Sequence, residues 1–188
     1  INFAGGTTVC YATNNDAVDS NYGRSGAITI SGGNLFAYSG AGSPEESIDC
    51  DNNSYITVTG GIAISAGGSQ GGGGMGSSSS IGSASQGYYL GSSPSSYSTT
   101  YYYTLCNTSG EAICTYRFEK NVSNSLSLLT APNLGKGSIT VKQGTSEPTS
   151  ASIIVKSTTD APAFWLTPEV STPNTTTNIT TKQKKHQP

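Results

Sequence analysis

Two short runs in this chain carry acids at matching spacing. Asp16-Ala17-Val18-Asp19 and Glu46-Ser47-Ile48-Asp49, the second followed by Asp51, both read acid-x-aliphatic-acid. With Val18 and Ile48 pointing into a core, the acids around them point outward. If one run lies above the other at the strand spacing of about 4.8 Å, the carboxylates repel. At an effective dielectric near 20, each pair costs on the order of 3 kcal/mol. Raised pKa values or a bound cation relieve that cost. Clustered hard oxygens favour Ca2+. The candidate ligands are Asp16, Asp19, Glu46, Asp49 and Asp51. Asp49-Cys50-Asp51-Asn52-Asn53 also spells DxDxN, the opening of a calcium loop. Ser54 replaces the loop glycine and Gly60 the closing glutamate, so the match concerns ligand spacing and not an EF-hand.

The residues point away from catalysis. The only histidine, His186, sits in the C-terminal tail, which removes a Ser–His–Asp arrangement from the folded part. Paired carboxylates serve glycoside hydrolases and calcium-dependent lyases, but Arg24 is the only basic residue near the acidic runs. The aromatics suit binding better. Tyr11 and Tyr38 fall at equivalent positions, and Tyr22 and Tyr55 lie beside the acidic runs. Tyrosine faces pack against the apolar faces of sugar rings, while amides, hydroxyls and carboxylates bond the sugar hydroxyls. Packing inside a β protein is the competing role for Tyr11 and Tyr38. N-x-S/T sequons at Asn52, Asn107, Asn121, Asn174 and Asn178 are candidate glycosylation sites if the source is eukaryotic.

The acidic runs need elements to hold them in register, and the chain supplies a repeat. Ile1-Asn2-Phe3-Ala4-Gly5-Gly6, Ile28-Thr29-Ile30-Ser31-Gly32-Gly33 and Ile56-Thr57-Val58-Thr59-Gly60-Gly61 recur at offsets of 27 and 28 residues. Such a period marks stacked coils, one per repeat. Within each, apolar and small polar residues alternate, which is strand periodicity. Val9-Cys10-Tyr11-Ala12 aligns with Phe36-Ala37-Tyr38-Ser39, and after a loop insertion Val18 aligns with Ile48. Length changes confined to loops fit this organisation.

Composition agrees. Only 11% of the 188 residues are charged and 24 are Gly, the makeup of a turn-rich β protein. The net charge of −2 offers no pull on nucleic acid or anionic membrane, and no apolar run is long enough to span a bilayer. The chain opens inside a strand phrase with no secretory signal, which reads as a processed or excised fragment. We expect an all-β chain: a short right-handed parallel β-helix of about two and a half coils over 1–68, then a small antiparallel module. Residues 69–99, rich in Gly and Ser, read as a flexible linker. Over 100–167, Tyr101–Leu105 and Ile113–Phe118 flank an Asn107-Thr108-Ser109-Gly110 turn as a hairpin. Further strands are expected at Leu126–Leu129, Ser138–Lys142 and Ser152–Lys156, with Phe164 and Trp165 closing a small core. Residues 168–188 read as an unfolded low-complexity tail. Cys10, Cys50, Cys106 and Cys114 form no CxxC pair, and Cys106 and Cys114 are placed to bridge the hairpin or to remain thiols.

The Asp16–Asn21 run, the Ile-Thr-Ile-Ser-Gly-Gly phrase and Gly42-Ser43-Pro44-Glu45-Glu46-Ser47-Ile48-Asp49-Cys50-Asp51-Asn52-Asn53 resemble the secreted bacterial carbohydrate-binding-domain family. The Gly-rich stretch and Tyr-Tyr-Tyr-Thr-Leu hairpin are similar to the region that follows its coils. The resemblance implies a right-handed parallel β-helix that binds plant polysaccharide and carries calcium on stacked acidic loops. On that basis Asp16, Asp19, Glu46, Asp49 and Asp51 map to the metal-bearing loops. The expected function is a non-catalytic carbohydrate-binding module, secreted or at the cell surface. The alternative is a structural subunit whose open sheet ends stack head to tail into a filament.

Overall fold

The computed structural model describes residues 1–20, 25–41, 45–50, 55–67, 81–91, 94, 96–123, 127–135, 138–145, 153–155, 164–166 and 173–180. Among them there is no helix, and the chain is all-β. The first five strands are β1 (Asn2–Ala12), β2 (Val18–Ser20), β3 (Ser25–Ser39), β4 (Ile48–Cys50) and β5 (Tyr55–Ala66). β1, β3 and β5 lie side by side and parallel, and β2 pairs parallel with β4. The register is the one the repeat demands. Val9 lies opposite Phe36, Tyr11 opposite Tyr38, Val18 opposite Ile48 and Asp19 opposite Asp49.

The Gly-Gly phrases set that register. Gly6, Gly33 and Gly61 have φ of 70°, 73° and 80°, in the left-handed region that disfavours side chains. Contact adds a second demand. A Cβ on Gly33 would stand 2.6 Å from the Gly6 carbonyl oxygen, and one on Gly61 would stand 2.7 Å from that of Gly33. A Cβ on Gly32 or Gly60 would strike the carbonyl of Ala4 or Ser31. Each long strand therefore bends at its glycines directly against the bend of the strand before it.

Past the bend, β3 and β5 are buried on both faces. Leu35, Ala37 and Ala63 join Val18, Ile28, Ile30, Ile48, Ile56 and Val58 in one core. Phe36, Tyr38, Ile64 and Ala66, on the opposite face, join a second core with Tyr97, Tyr103, Leu105, Tyr116 and Phe118. That second core is supplied by the rest of the chain.

The remaining strands are β6 (Ile81–Ala84), β7 (Tyr88–Gly91), β8 (Ser96–Tyr97), β9 (Tyr102–Cys106), β10 (Ala112–Tyr116), β11 (Val122–Ser123), β12 (Ser127–Thr130), β13 (Ser138–Gly144), β14 (Ile153–Val155), β15 (Phe164–Leu166) and β16 (Pro173–Thr180). They correct several expectations. The stretch read as linker contains β6, β7 and β8. β6 adds to β5 in parallel, and β7 joins the same sheet through β12. Gln86 locks this segment down, its Nε2 donating to the Gly61 carbonyl and to Thr130 Oγ1, both at 2.8 Å. Composition missed this because one buried amide and two apolar anchors, Ile81 and Tyr88, suffice to order a Ser-rich segment. The Gly71–Gly74 and Ser77–Ser80 runs lie outside the described residues.

The strand expected at Leu126–Leu129 is β12, but it does not belong to the second module. It pairs antiparallel with β5 and β7, with Leu128 in the first core and Leu129 in the second. The two expected domains therefore share a sheet and a core. The β9–β10 hairpin forms as expected, within a sheet ordered β14-β15-β10-β9-β13-β16. The tail is not wholly unfolded, since β16 pairs along β13. Phe164 and Trp165 lie on β15, with side chains outside those described. All four cysteines are free thiols. In the hairpin Cys106 faces Ala112 and Cys114 faces Leu105, so the two thiols leave opposite faces of the sheet and cannot bridge.

The glycine geometry yields a graded prediction. Gly6→Ala meets no neighbour and suffers only its positive φ, costing about 1–2 kcal/mol. Gly61→Ala suffers that strain plus backbone overlap, adding about 1–3 kcal/mol. Urea unfolding midpoints of the two variants check this; equal losses would contradict it.

Candidate metal centre

The acidic runs meet where the parallel register puts them. Asp19 and Asp49 are direct partners across β2 and β4. Asp16 sits in the bend before β2, and its Oδ1 accepts the Glu46 backbone N–H. Ala17 N–H donates to the Glu46 carbonyl at 3.3 Å and Val18 N–H to that of Ser47 at 3.1 Å. The bend is fastened from behind as well. Ser39 Oγ donates to the Asn15 carbonyl at 2.8 Å, and Gly40 N–H to that of Ala12 at 2.9 Å. Ser47 N–H reaches the Gly67 carbonyl at 3.3 Å, which ties the second loop to the end of β5. Val18 and Ile48 are buried beneath the loops and anchor them to the core.

The result is a group of three carboxylates. One oxygen each from Asp16, Asp19 and Asp49 lies within 4.8 Å of the others. Asp19 is exposed and the other two are half-buried, so water screens part of the repulsion between them. Calcium takes oxygen ligands at about 2.3–2.6 Å, so two oxygens on one ion sit at most about 5 Å apart. The triad fits that limit and leaves coordination positions for water or further oxygens.

Neighbouring groups register the negative field. Burial first, then the Asp16 carboxylate beside it, push the Glu45 carboxyl up. Burial, then the Asp49 and Asp19 carboxylates, push the Cys50 thiol up to about 12. Glu45 is the residue that sequence reasoning missed. Aligning the runs matched Asp16 with Glu46 and passed over the acid before it.

Glu46 itself is corrected. It is buried and contributes no oxygen to the triad. Its role at the site is the backbone N–H held by Asp16. Tyr38 is corrected too. It points out of the parallel stack, but Phe118 covers it at 4.9 Å between ring centroids, and it has no exposed surface. Tyr11 packs against Tyr38 with ring centroids 4.5 Å apart and planes tilted by 32°, and it is 37% exposed. Tyr22, Asp51 and Asn52 lie outside the described residues, and the side chains of Tyr55, Asn174 and Asn178 lie outside those described. Asn107 organises the hairpin turn: its Oδ1 accepts from Ser109 and Glu111 N–H, and its Nδ2 donates to Glu111 Oε2 at 2.7 Å. A glycan on that nitrogen would compete with the last of these bonds. Asn121 is exposed, and its Oδ1 accepts from Thr99 N–H.

A pH dependence follows from Glu45. Its carboxyl binds a proton more tightly in the folded chain than at its ordinary value of 4.5. The stability linked to that proton is full below this value and is lost as pH rises through the raised folded value. With EDTA present, stability should therefore rise as pH is lowered from 7 towards 5, and Glu45→Gln should flatten the rise. Urea midpoints across this range test it; a fall in stability, or a slope unchanged in the variant, would contradict it.

No protein-family model, no curated protein and no solved structure matches this chain, so its function is argued from its own residues.

Proposed function

We propose that this chain is an extracellular, non-catalytic carbohydrate-binding module, a short right-handed parallel β-helix whose acidic loops are stabilised by Ca2+. The observation that carries the reading is the convergence of three carboxylates within 4.8 Å: Asp19 and Asp49, partners on adjacent parallel strands, and Asp16 in the bend before the first of them. Support for the glycan comes from the resemblance of the Gly-Ser-Pro-Glu-Glu to Asp-Asn-Asn run to secreted carbohydrate-binding domains. It also comes from Tyr11, an exposed ring backed by Tyr38. An aromatic face held from behind presents its other side to a sugar at little entropic cost. The metal would fix the loops, and the tyrosine and nearby polar groups would grip the glycan.

The filament reading requires open strand edges at both ends of the parallel stack. The outer edge of β5 is taken by β6 over one half and by β12 over the other. That end does not favour head-to-tail stacking.

Calorimetric melting with added Ca2+ tests the metal. At a concentration one hundred times Kd, the stabilisation expected is about 2.7 kcal/mol. It should be reversed by EDTA and lost in Asp19→Asn/Asp49→Asn. A plant-polysaccharide array, run with Ca2+ and with EDTA, tests the glycan. Tyr11→Ala should weaken binding at least tenfold without altering the calcium shift. No calcium shift in the wild type would remove the metal, and no glycan bound under either condition would remove the recognition role.

A further inference from the structure

Before the bends, the parallel sheet buries one face and leaves the other in water. Phe3, Ile30, Val58 and Ala84 face inward and pack on the first core. The residues on either side of each therefore face outward. They form two files running across β1, β3, β5 and β6. The first file is Asn2, Thr29, Thr57 and Ser83, direct partners from strand to strand. The second is Ala4, Ser31, Thr59 and Ser85, all exposed. Six of these eight side chains carry a hydroxyl, and none is charged or aromatic. Neighbouring strands hold some of the hydroxyls in place. Ser31 Oγ donates to Asn2 Oδ1 at 3.2 Å, and Ser85 Oγ donates to the Thr59 carbonyl at 3.1 Å. A hydroxyl whose proton is engaged in this way keeps acceptor capacity for an outside donor.

The spacing of the files points to a ligand with a lattice of its own. Equivalent side chains recur about 4.8 Å apart from strand to strand, and the two files stand about 6.7 Å apart along each strand. Water molecules bonded tetrahedrally at about 2.8 Å, as in ice, have second neighbours about 4.5 Å apart and a repeat of about 7.4 Å along the perpendicular axis. We propose that this face is an ice-binding surface, whose hydroxyls take the places of water oxygens in the outer layer of a crystal. The mismatch is about 0.3 Å per strand and about 0.7 Å between files, which rotation of short side chains absorbs. Other ligands suit the face less well. A sugar ring is best gripped by an aromatic face, a nucleic acid by Lys or Arg, and a protein by aromatic or Arg anchors. The two files offer none of these. Because the Gly-Gly bends fix the strands in register beside the face, its spacing is set before contact and costs no ordering on binding. This inference does not rest on the metal or on the glycan.

The test grows ice slowly from a solution of the full chain and a control protein, then measures how each partitions. The wild type should be enriched in the ice at least tenfold over the control, and it should slow recrystallisation of a frozen film. Thr57→Lys, in the middle of the first file, should reduce the enrichment to the control level with an unchanged melting temperature. If that variant melts early, Thr59→Lys takes its place with the same expectation. Thr13→Lys, exposed but outside the two files, should keep the wild-type enrichment. Partition of the wild type no better than the control would overturn the proposal, as would undiminished enrichment of a well-folded Thr57 or Thr59 variant. So would loss of polysaccharide binding in Thr57→Lys, since it would make the face part of a glycan site.

Discussion

The close approach of backbone to backbone at the Gly-Gly bends is the constraint on which the molecule depends. A hydrophobic strand alone tolerates slippage by two residues, because its apolar face is restored at every second position. The bends forbid it. Gly33 against Gly6 and Gly61 against Gly33 leave no room for a side chain, so a slipped strand would bring Cβ atoms into carbonyl groups. Once the bends are stacked, every other position is determined. Tyr11 must fall on Tyr38, and the loops that leave β1 and β3 must return at matching heights. The juxtaposition of Asp19 with Asp49 is thus a consequence of glycines far from it along the chain.

The same register explains why the second half of the chain is a cover and not an appendage. Beyond the bend β3 presents apolar groups on both faces, and β5 is buried on both faces beside it, so neither can stand at a surface. The β9–β10 hairpin brings Tyr103, Leu105 and Tyr116 to Phe36, Tyr38 and Ile64. Phe118 closes on Tyr38, and Tyr97 packs edge-on against Tyr103 and Phe118. β12 then turns the sheet antiparallel and takes half of the β5 edge, with Ser65 Oγ accepting the Leu128 N–H at 3.0 Å. Among the described residues β5 is thus covered on its outer edge by β6 and β12.

Much of this was legible in the sequence, and the misses have physical causes. The three Gly-Gly phrases and the offset between Val18 and Ile48 led to the parallel register, because indels fell in loops. The strand alternation of Leu35 and Ala37 identified one core. It could not identify the second, since Phe36 and Tyr38 read equally as surface aromatics until something is known to lie over them. Tyr38 was misjudged on that ground. Glu46 was misjudged because its match to Asp16 in the pattern carried no information on burial, and its side chain is buried. Glu45 was overlooked although it stood next in line. The Ser-rich 81–91 segment looked like linker because its order depends on Gln86 and Thr130, two polar residues 44 positions apart in sequence. No local signal reports a bond of that range.

The balance at the acidic loops decides what a cation does there. Each of the three carboxylate pairs at this spacing repels by about 3 kcal/mol at an effective dielectric near 20, and water at Asp19 lowers this. Beneath them Val18 and Ile48 are buried, each contributing about 1.5–3 kcal/mol. Backbone bonds from Ala17 and Val18 to the second loop add to that. The apolar and backbone terms are of the same order as the screened repulsion, and the acids are carried into proximity by the residues under them. A cation bound here would relieve that electrostatic penalty, and so would rigidify the loops and raise stability. The parallel register supplies the preorganisation on which such an ion would act.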